Sequence, residues 1–153
     1  MPPSSVQVDD SFWPLVIVRY EGTPTIAQIE SSLVRRALHL TRGERHVVLY
    51  DMSLSSGLAT SAQRHLQSNW MGKNEARLRE LMLGAAIIVD SSIVRLMLSL
   101  LVHVRPFPMP HVAVKTQPEG IVWLAARLRQ AGLPTEAQRL LVRFGLLDGG
   151  HLV

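Results

Sequence analysis

The feature that most constrains the fold is a short apolar segment at residues 84–89, with the sequence Gly-Ala-Ala-Ile-Ile-Val. Its apolar residues are continuous, whereas a strand with one solvent-facing side alternates apolar and polar residues. A continuous run of this length is typical of a strand that is covered on both faces of a parallel sheet. The segment therefore predicts an α/β fold with helices on either side of the sheet.

Turn and cap signals divide the chain into the order ββαβαβαβα, with a mixed, mostly parallel sheet of four to five strands. The predicted main domain is 1–132, and 133–153 is a C-terminal helical extension and tail. The expected strands are 6–8 and 12–20 around a polar turn at 9–11, then 46–51, 84–89 and 111–115. The expected helices begin near residues 26, 61, 91, 118 and 135, the last with Thr135 as its cap.

The first helix begins with a capping box of Thr25 and Gln28 and ends at Gly43. Its apolar residues follow the three-four spacing of a single buried stripe. The predicted stripe consists of Ile26, Ile29, Leu33, Ala37 and Leu40. The polar residues Arg35, Arg36 and His39 are predicted to lie elsewhere on the helix.

The helix predicted at 91–104 is more apolar than one side of a sheet requires. After its first turn its polar residues are Arg95, Ser99 and His103, which are four apart and span only about 80° of the helix circumference. A helix lying on a sheet needs an apolar arc of little more than about 100°. The excess must be covered by another element, a second subunit, a ligand or a membrane surface, and the C-terminal helix is the best internal candidate.

This excess defines a predicted interaction surface on the helix and on the proline-rich loop that follows it. The loop has prolines at 106, 108 and 110, which prevent the helix from continuing. The predicted surface consists of Ile93, Arg95, Leu96, Met97, Ser99, Leu100, His103, Phe107 and Met109.

Composition argues against several classes of protein. No apolar run reaches the roughly 18 residues needed to span a bilayer, and the N-terminus is not typical of a signal peptide. The chain has no cysteine, which fits a cytoplasmic location. Its formal net charge is +4, but the basic residues are scattered, and only Lys73 and Lys115 are lysines, so we expect no nucleic-acid partner.

No catalytic motif stands out. The six histidines lack a zinc-ligand spacing, and there is neither a Gly-x-Ser-x-Gly elbow nor a phosphate-binding glycine loop, so we expect no enzyme, cofactor or metal. The alternative depends on Asp51 and Asp90, which both end predicted parallel strands. If those strands are neighbours, the two crevice carboxylates would hold a hard cation such as Mg²⁺. Otherwise they cap a helix and hold a turn.

The order of elements, the segment 84–90 and the helix start Glu119-Gly120-Ile121-Val122-Trp123-Leu124 together resemble the SpoIIAA-like group of the STAS superfamily. This is an anti-sigma-factor antagonist fold that also has a lipid-carrier-like branch. The resemblance covers about residues 6–130 and implies a small non-enzymatic module that binds another protein. It also implies a phosphorylation site at Ser56, although the family's preceding acid is Leu54 here and an ordinary Ser-Gly turn is the competing interpretation.

These observations favour a regulatory or scaffold module of bacterial signalling that acts through protein–protein binding, itself as a homodimer. The first alternative is a module that binds a hydrophobic ligand or lies peripherally on a membrane. The second is a metal-dependent enzyme that uses Asp51 and Asp90.

Overall fold

The computed structural model describes residues 4–55, 59–92, 94–96 and 106–148. Five strands and five helices are bounded within these ranges, and residues 94–96 are also helical. The strands are β1 (Ser5–Phe12), β2 (Leu15–Gly22), β3 (His46–Ser55), β4 (Met82–Ile88) and β5 (His111–Val114). The helices are α1 (Ile26–Thr41), α2 (Ser61–Lys73), α3 (Glu75–Leu81), α4 (Gln117–Gln130) and α5 (Pro134–Arg143).

The five strands form one sheet in the order β1-β2-β3-β4-β5. The β1–β2 hairpin is antiparallel and lies at one edge, and the remaining neighbours are parallel. Every residue of the segment 84–89 is buried, as expected of a strand covered on both sides. The predicted α/β architecture with a mixed, mostly parallel sheet is confirmed.

Alternation along the strands divides the core into two layers. We call the side that contains Val18, Val48 and Ala85 the first face, and it is packed beneath α1, α2 and α3. The side that contains Leu49 and Ala86 is the second face, and α4 and α5 cover it.

The second face is closely packed. Ile121, Leu124 and Leu128 of α4 have no measurable exposure, as their spacing predicted. Gly120 lets α4 approach the sheet, because a Cβ at this position would lie 2.8 Å from Leu49 Cδ1. Helix α5 packs on α4. Its buried residues, Ala137 and Leu140, belong to this second-face core.

The position of α5 contradicts the expectation that this helix covers the apolar segment 91–104. Its apolar side is occupied by α4 on the second face, whereas Val94, at the start of the apolar segment 91–104, contacts the first-face layer. Helix α5 therefore does not supply the cover that we expected for the described start of that segment. The predicted Thr135 cap is also wrong, because α5 begins at Pro134 and its N-cap is Leu133, with no side-chain hydrogen bond.

The hairpin turn lies at Trp13-Pro14, which are joined by a cis peptide bond, and not at residues 9–11. Asp9 Oδ1 accepts hydrogen bonds from the Ser11 backbone N–H and hydroxyl at 2.9 and 2.6 Å. These bonds accompany an irregular register between Asp9 and Phe12, so the polar triplet marks a bulge inside β1.

Helix α1 has the predicted capping box, with Gln28 N–H donating to Thr25 Oγ1 at 3.1 Å and Thr25 N–H donating to Gln28 Oε1 at 2.9 Å. Ile29 and Leu40 are buried as predicted. Ile26 is 37% exposed, however, whereas Arg36 and His39 are buried, so the predicted stripe is wrong at these positions. Arg36 follows Ile29 by seven residues and therefore lies on the same side of the helix.

Candidate functional site

A cavity of about 240 Å³ lies between the first face of the sheet and helices α1 and α2. The floor includes Val18, Tyr50 and Ala85, and Leu33 and Trp70 stand on the helices above them. The lining is predominantly apolar. For comparison, an engineered protein cavity of about 150 Å³ is large enough to bind benzene.

Flexible sulfur side chains contribute to this lining. Four of the six methionines of the chain contribute to it, namely Met52, Met71, Met82 and Met109. Methionine is unbranched and polarizable, so it adapts to ligands of irregular shape. The cavity wall is therefore suited to an apolar ligand without a single rigid outline.

Arg36 is the one charged side chain in the described lining of the cavity, and it is only 2% exposed. Its Nη1 lies 2.9 Å from His39 Nδ1, and its Nη2 lies 3.2 Å from His46 Nε2 and 3.7 Å from Met82 Sδ. The Nε group has no hydrogen-bond partner within the described ranges. An arginine stays positively charged in a protein, so this is a buried cation.

Both histidines that contact Arg36 act as neutral acceptors. His46 Nδ1 donates to the Glu44 carbonyl at 3.1 Å, which leaves Nε2 to accept from Arg36. Burial and then the Arg36 charge lower the pKa of His46 from 6.5 to about 4. Burial also lowers the pKa of His39, although its Nε2–H donates to Asp10 Oδ2 at 3.1 Å and opposes that shift. At neutral pH neither imidazole adds a charge.

Trp13 covers the two imidazoles. Its ring is stacked 5.1 Å from the His46 ring and lies 5.6 Å from the His39 ring, measured between centroids. The central carbon of the Arg42 guanidinium lies 3.8 Å from the centroid of the Trp13 ring. The indole N–H of Trp13 donates a hydrogen bond to Glu44 Oε2 at 3.0 Å. The contacts keep water from His39 and His46, which is the physical cause of their lowered pKa values.

Neutral polar groups lie toward the other end of the cavity. Burial and the neighbouring Tyr50 phenol raise the pKa of Tyr20, so its hydroxyl stays protonated. Gln63 is buried, donates from Nε2 to the Pro24 carbonyl at 2.7 Å, and completes the capping box of Thr60 at the start of α2. These groups make this end of the cavity polar without adding a second charge.

The two predicted crevice carboxylates occupy different settings. Strand β3 continues to Ser55, so Asp51 lies inside the strand and the expectation that it ends there is wrong. Burial alone would raise the pKa of Asp51, but hydrogen bonds from Ser53 and Arg19 lower it. The Arg19 Nε–Asp51 Oδ2 distance is 3.3 Å.

Asp90 is exposed, two residues beyond the register partner of Asp51, Ile88. The two strands are neighbours, as the cation hypothesis requires. Within the described ranges, however, no group of three or more histidine, aspartate or glutamate side chains forms a candidate metal site. The Asp51–Asp90 cation site stays a prediction.

The predicted interaction surface is only partly within the described residues. Arg95 Nη2 donates to the Val89 carbonyl at 3.0 Å, and Leu96 is 62% exposed. Phe107 and the buried Met109 line the cavity. The remaining members of this surface lie outside the described residues, namely Ile93, Met97, Ser99, Leu100 and His103. The predicted phosphorylation site Ser56 also lies outside them.

Sequence reasoning missed Arg36, His39 and His46 as a cluster. The signal was present for Arg36, which lies seven residues after Ile29 and four before Leu40, on the face that those apolar residues identify. His46 opens β3, and nothing in its local pattern indicates that it faces an arginine ten residues earlier. Within the part of the chain that the structure describes, no helix is long and apolar enough to cross a membrane.

The fold is similar to that of a solved structure. One match is an uncharacterized protein of the DUF3478 family with a SpoIIAA-like fold from Shewanella loihica, with a TM-score of 0.58 and 15% sequence identity, over 81% of this chain and 95% of that chain. No protein-family model matches the sequence, and no curated protein does. The comparison agrees with the predicted SpoIIAA-like architecture and, at this identity, concerns the fold alone.

Proposed function

We propose that this SpoIIAA-like protein is a non-enzymatic module that binds a small hydrophobic ligand in the first-face cavity. The observation that carries the proposal is a predominantly apolar space of about 240 Å³ in the layer between sheet and helices. Ligand sites in proteins are typically concave and apolar, with a few polar groups that fix orientation. Arg36, Tyr20 and Gln63 are such groups here.

Energetics support occupancy. Protein interiors are close-packed, so apolar side chains that face an unfilled space lack the dispersion contacts of a packed core. An apolar ligand would replace the missing contacts and stabilise the folded state.

The proposal is tested by isothermal titration calorimetry with 1-octanol, a neutral apolar probe. Ala85→Leu adds a side chain to the floor of the cavity, and Ala76→Leu makes the same change at an exposed position of α3. We expect 1-octanol to bind the wild type and Ala76→Leu equally and to bind Ala85→Leu at least tenfold more weakly. Equal binding to all three proteins, or a wild type that binds neither 1-octanol nor its carboxylate analogue octanoate, would contradict the proposal.

A second candidate function is protein–protein binding, including self-association. Val34 and Leu38 lie one helical turn apart on α1 and are 63% and 61% exposed. Exposed apolar side chains on one helix face are common at interfaces. Light scattering at micromolar concentration should then give a dimer that becomes monomeric in Val34→Asp/Leu38→Asp, and a monomeric wild type would remove the homodimer.

A further inference from the structure

We propose that the ligand carries a single negatively charged head group, of the carboxylate kind, that pairs with Arg36 while its apolar body extends along the cavity. This inference rests on the proposed function, because it specifies the chemistry of a ligand for the same cavity. It goes further by predicting discrimination between ligands of equal size and different charge.

The first argument is the charge balance of the cavity. Arg36 is nearly inaccessible to water, and the described lining contains no aspartate or glutamate. The described partners of its guanidinium are two neutral imidazole nitrogens and a thioether. Burying an ion without a counter-ion costs several kcal/mol, so a bound anion would relieve a cost that the described residues leave uncompensated.

Nearby carboxylates have other hydrogen-bond partners. Asp10 reaches Arg36 only through the ring of His39, to which it is bonded at 3.1 Å. Glu44 accepts from the Trp13 indole at 3.0 Å and lies 3.6 Å from Arg42. Neither carboxylate makes a described contact with the Arg36 guanidinium, so a ligand can supply one without displacing them.

The donor capacity of Arg36 gives the second argument. A guanidinium has five N–H donors in a planar fork that matches the two oxygens of a carboxylate. In Arg36, Nη1 and Nη2 each contact a histidine, and Nε has no hydrogen-bond partner in the described structure. A buried donor without an acceptor is uncommon in native proteins and calls for an explanation. A carboxylate oxygen from the ligand would satisfy it.

The cavity also has a direction. Arg36 contacts Met82, the first residue of β4, which is paired in register with His46 at the start of β3. The lining continues along β4 and includes Val89, the residue after it, about 23 Å from Met82 at 3.3 Å per residue. A head group at Arg36 therefore places an extended apolar chain over Ala85 and toward the carboxyl ends of the strands.

The single cation in the described lining selects the charge of the ligand. One guanidinium balances one carboxylate, whereas a phosphate monoester carries close to two negative charges at neutral pH and would keep one uncompensated. An alkyl amine would bring a second cation beside Arg36. The expected order of affinity is therefore carboxylate first, neutral alcohol second and amine last.

The test compares octanoate, 1-octanol and octylamine at pH 7.5 by isothermal titration calorimetry on the wild-type protein. We expect octanoate to bind at least tenfold more tightly than 1-octanol, and octylamine more weakly than 1-octanol. If 1-octanol binds and octanoate binds no more tightly, the inference is wrong while the apolar cavity site stands. If none of the three probes binds, the proposed function fails as well.

Variants then assign the preference to one side chain. Arg36→Met removes the charge at similar length and should abolish the preference for octanoate over 1-octanol, and Arg36→Lys should restore part of it. Arg35→Met removes an exposed arginine from the adjacent position and should leave the preference intact. A preference that survives in folded Arg36→Met, as judged by circular dichroism, would overturn the assignment. If that variant does not fold, the probe series on the wild type and Arg36→Lys decides the question.

Discussion

On the second face of the sheet, α4 lies so close to β3 that Gly120 has no room for a methyl group beside Leu49. On the first face, α1 and α2 leave about 240 Å³ between themselves and the same strands. The two faces share one backbone, so the difference arises from the side chains that cover them. Close packing stabilises the fold, and the looser layer provides space for binding.

The two faces also differ in polarity. The second-face core consists of aliphatic residues and alanine, whereas the first-face layer includes Arg36, His39 and His46 among its buried groups. Polar groups of this kind stabilise a core little and are retained where they have a specific role. Under the proposed function, the second face therefore stabilises the fold and the first face binds the ligand.

The largest expected effect compares truncations on the two faces. Leu124→Ala removes a fully buried side chain from the second face and should lower the free energy of unfolding by about 3 to 5 kcal/mol. Leu33→Ala, at the cavity wall, should cost only about 1 kcal/mol, because fewer packed contacts are lost. Urea denaturation measures both, and equal costs would contradict the difference in packing.

A pH titration sharpens the comparison on the first face. The folded pKa of His46 is about 4 and its ordinary value is 6.5, so between these values the unfolded chain binds a proton that the folded protein excludes. Stability should therefore fall by about 3 kcal/mol as the pH is lowered from 6.5 to 4. The pKa of His39 is also lowered, so His39 adds to the loss of stability as the pH falls.

The control for this titration is His46→Asn, which removes the imidazole. Its stability should depend less steeply on pH between 6.5 and 4 when measured by urea denaturation at each pH. Below that window the carboxyl groups of Asp9 and Asp51, whose pKa values are lowered, add their own losses. An unchanged slope in the variant would exclude His46 as the source.

Adjacent alanines on β4 offer a matched pair for overpacking. Ala86→Leu adds volume to the closely packed second face and should destabilise the protein by about 2 kcal/mol. Ala85→Leu adds the same atoms beside the cavity and should change stability by less than about 1 kcal/mol in either direction. Thermal unfolding that ranks Ala85→Leu as the more damaging change would argue that the cavity has no spare volume.

The smallest expected effect concerns the carboxyl end of the second face. Asp51→Asn removes a partly exposed ion pair with Arg19 and weakens the bonds from Ser53, so we expect a loss of about 1 kcal/mol in urea denaturation. Because Arg19 and Ser53 already occupy this carboxylate, Mg²⁺ should not raise the melting temperature of the wild type. A rise that Asp51→Asn abolishes would revive the cation site.

The fold could be predicted because local signals and burial pattern agree. The continuous segment 84–89, the Thr25 capping box and the spacing of Ile121, Leu124 and Leu128 each depend on nearby residues. The hairpin turn could not be located in the same way, since the Asp9–Ser11 bonds form a bulge where a polar triplet suggested a reversal.

The candidate site could not be predicted from local sequence signals in this way. A cavity depends on the distance between helices and sheet, which no single segment specifies. Arg36 was predicted to lie outside the buried stripe of its helix, although its spacing from Ile29 and Leu40 places it on the buried face. The burial of this cation depends on His46 and Trp13, which come from other elements.

The most direct test of the central claim is an NMR titration of the protein, labelled at alanine and methionine methyl groups, with octanoate. We predict saturable shifts for the cavity methyls of Met71, Met82, Met109 and Ala85, and little change for Ala125 and Ala137 on the second face. Shifts that are absent, or spread equally over both faces, would contradict the assignment of ligand binding to the first face.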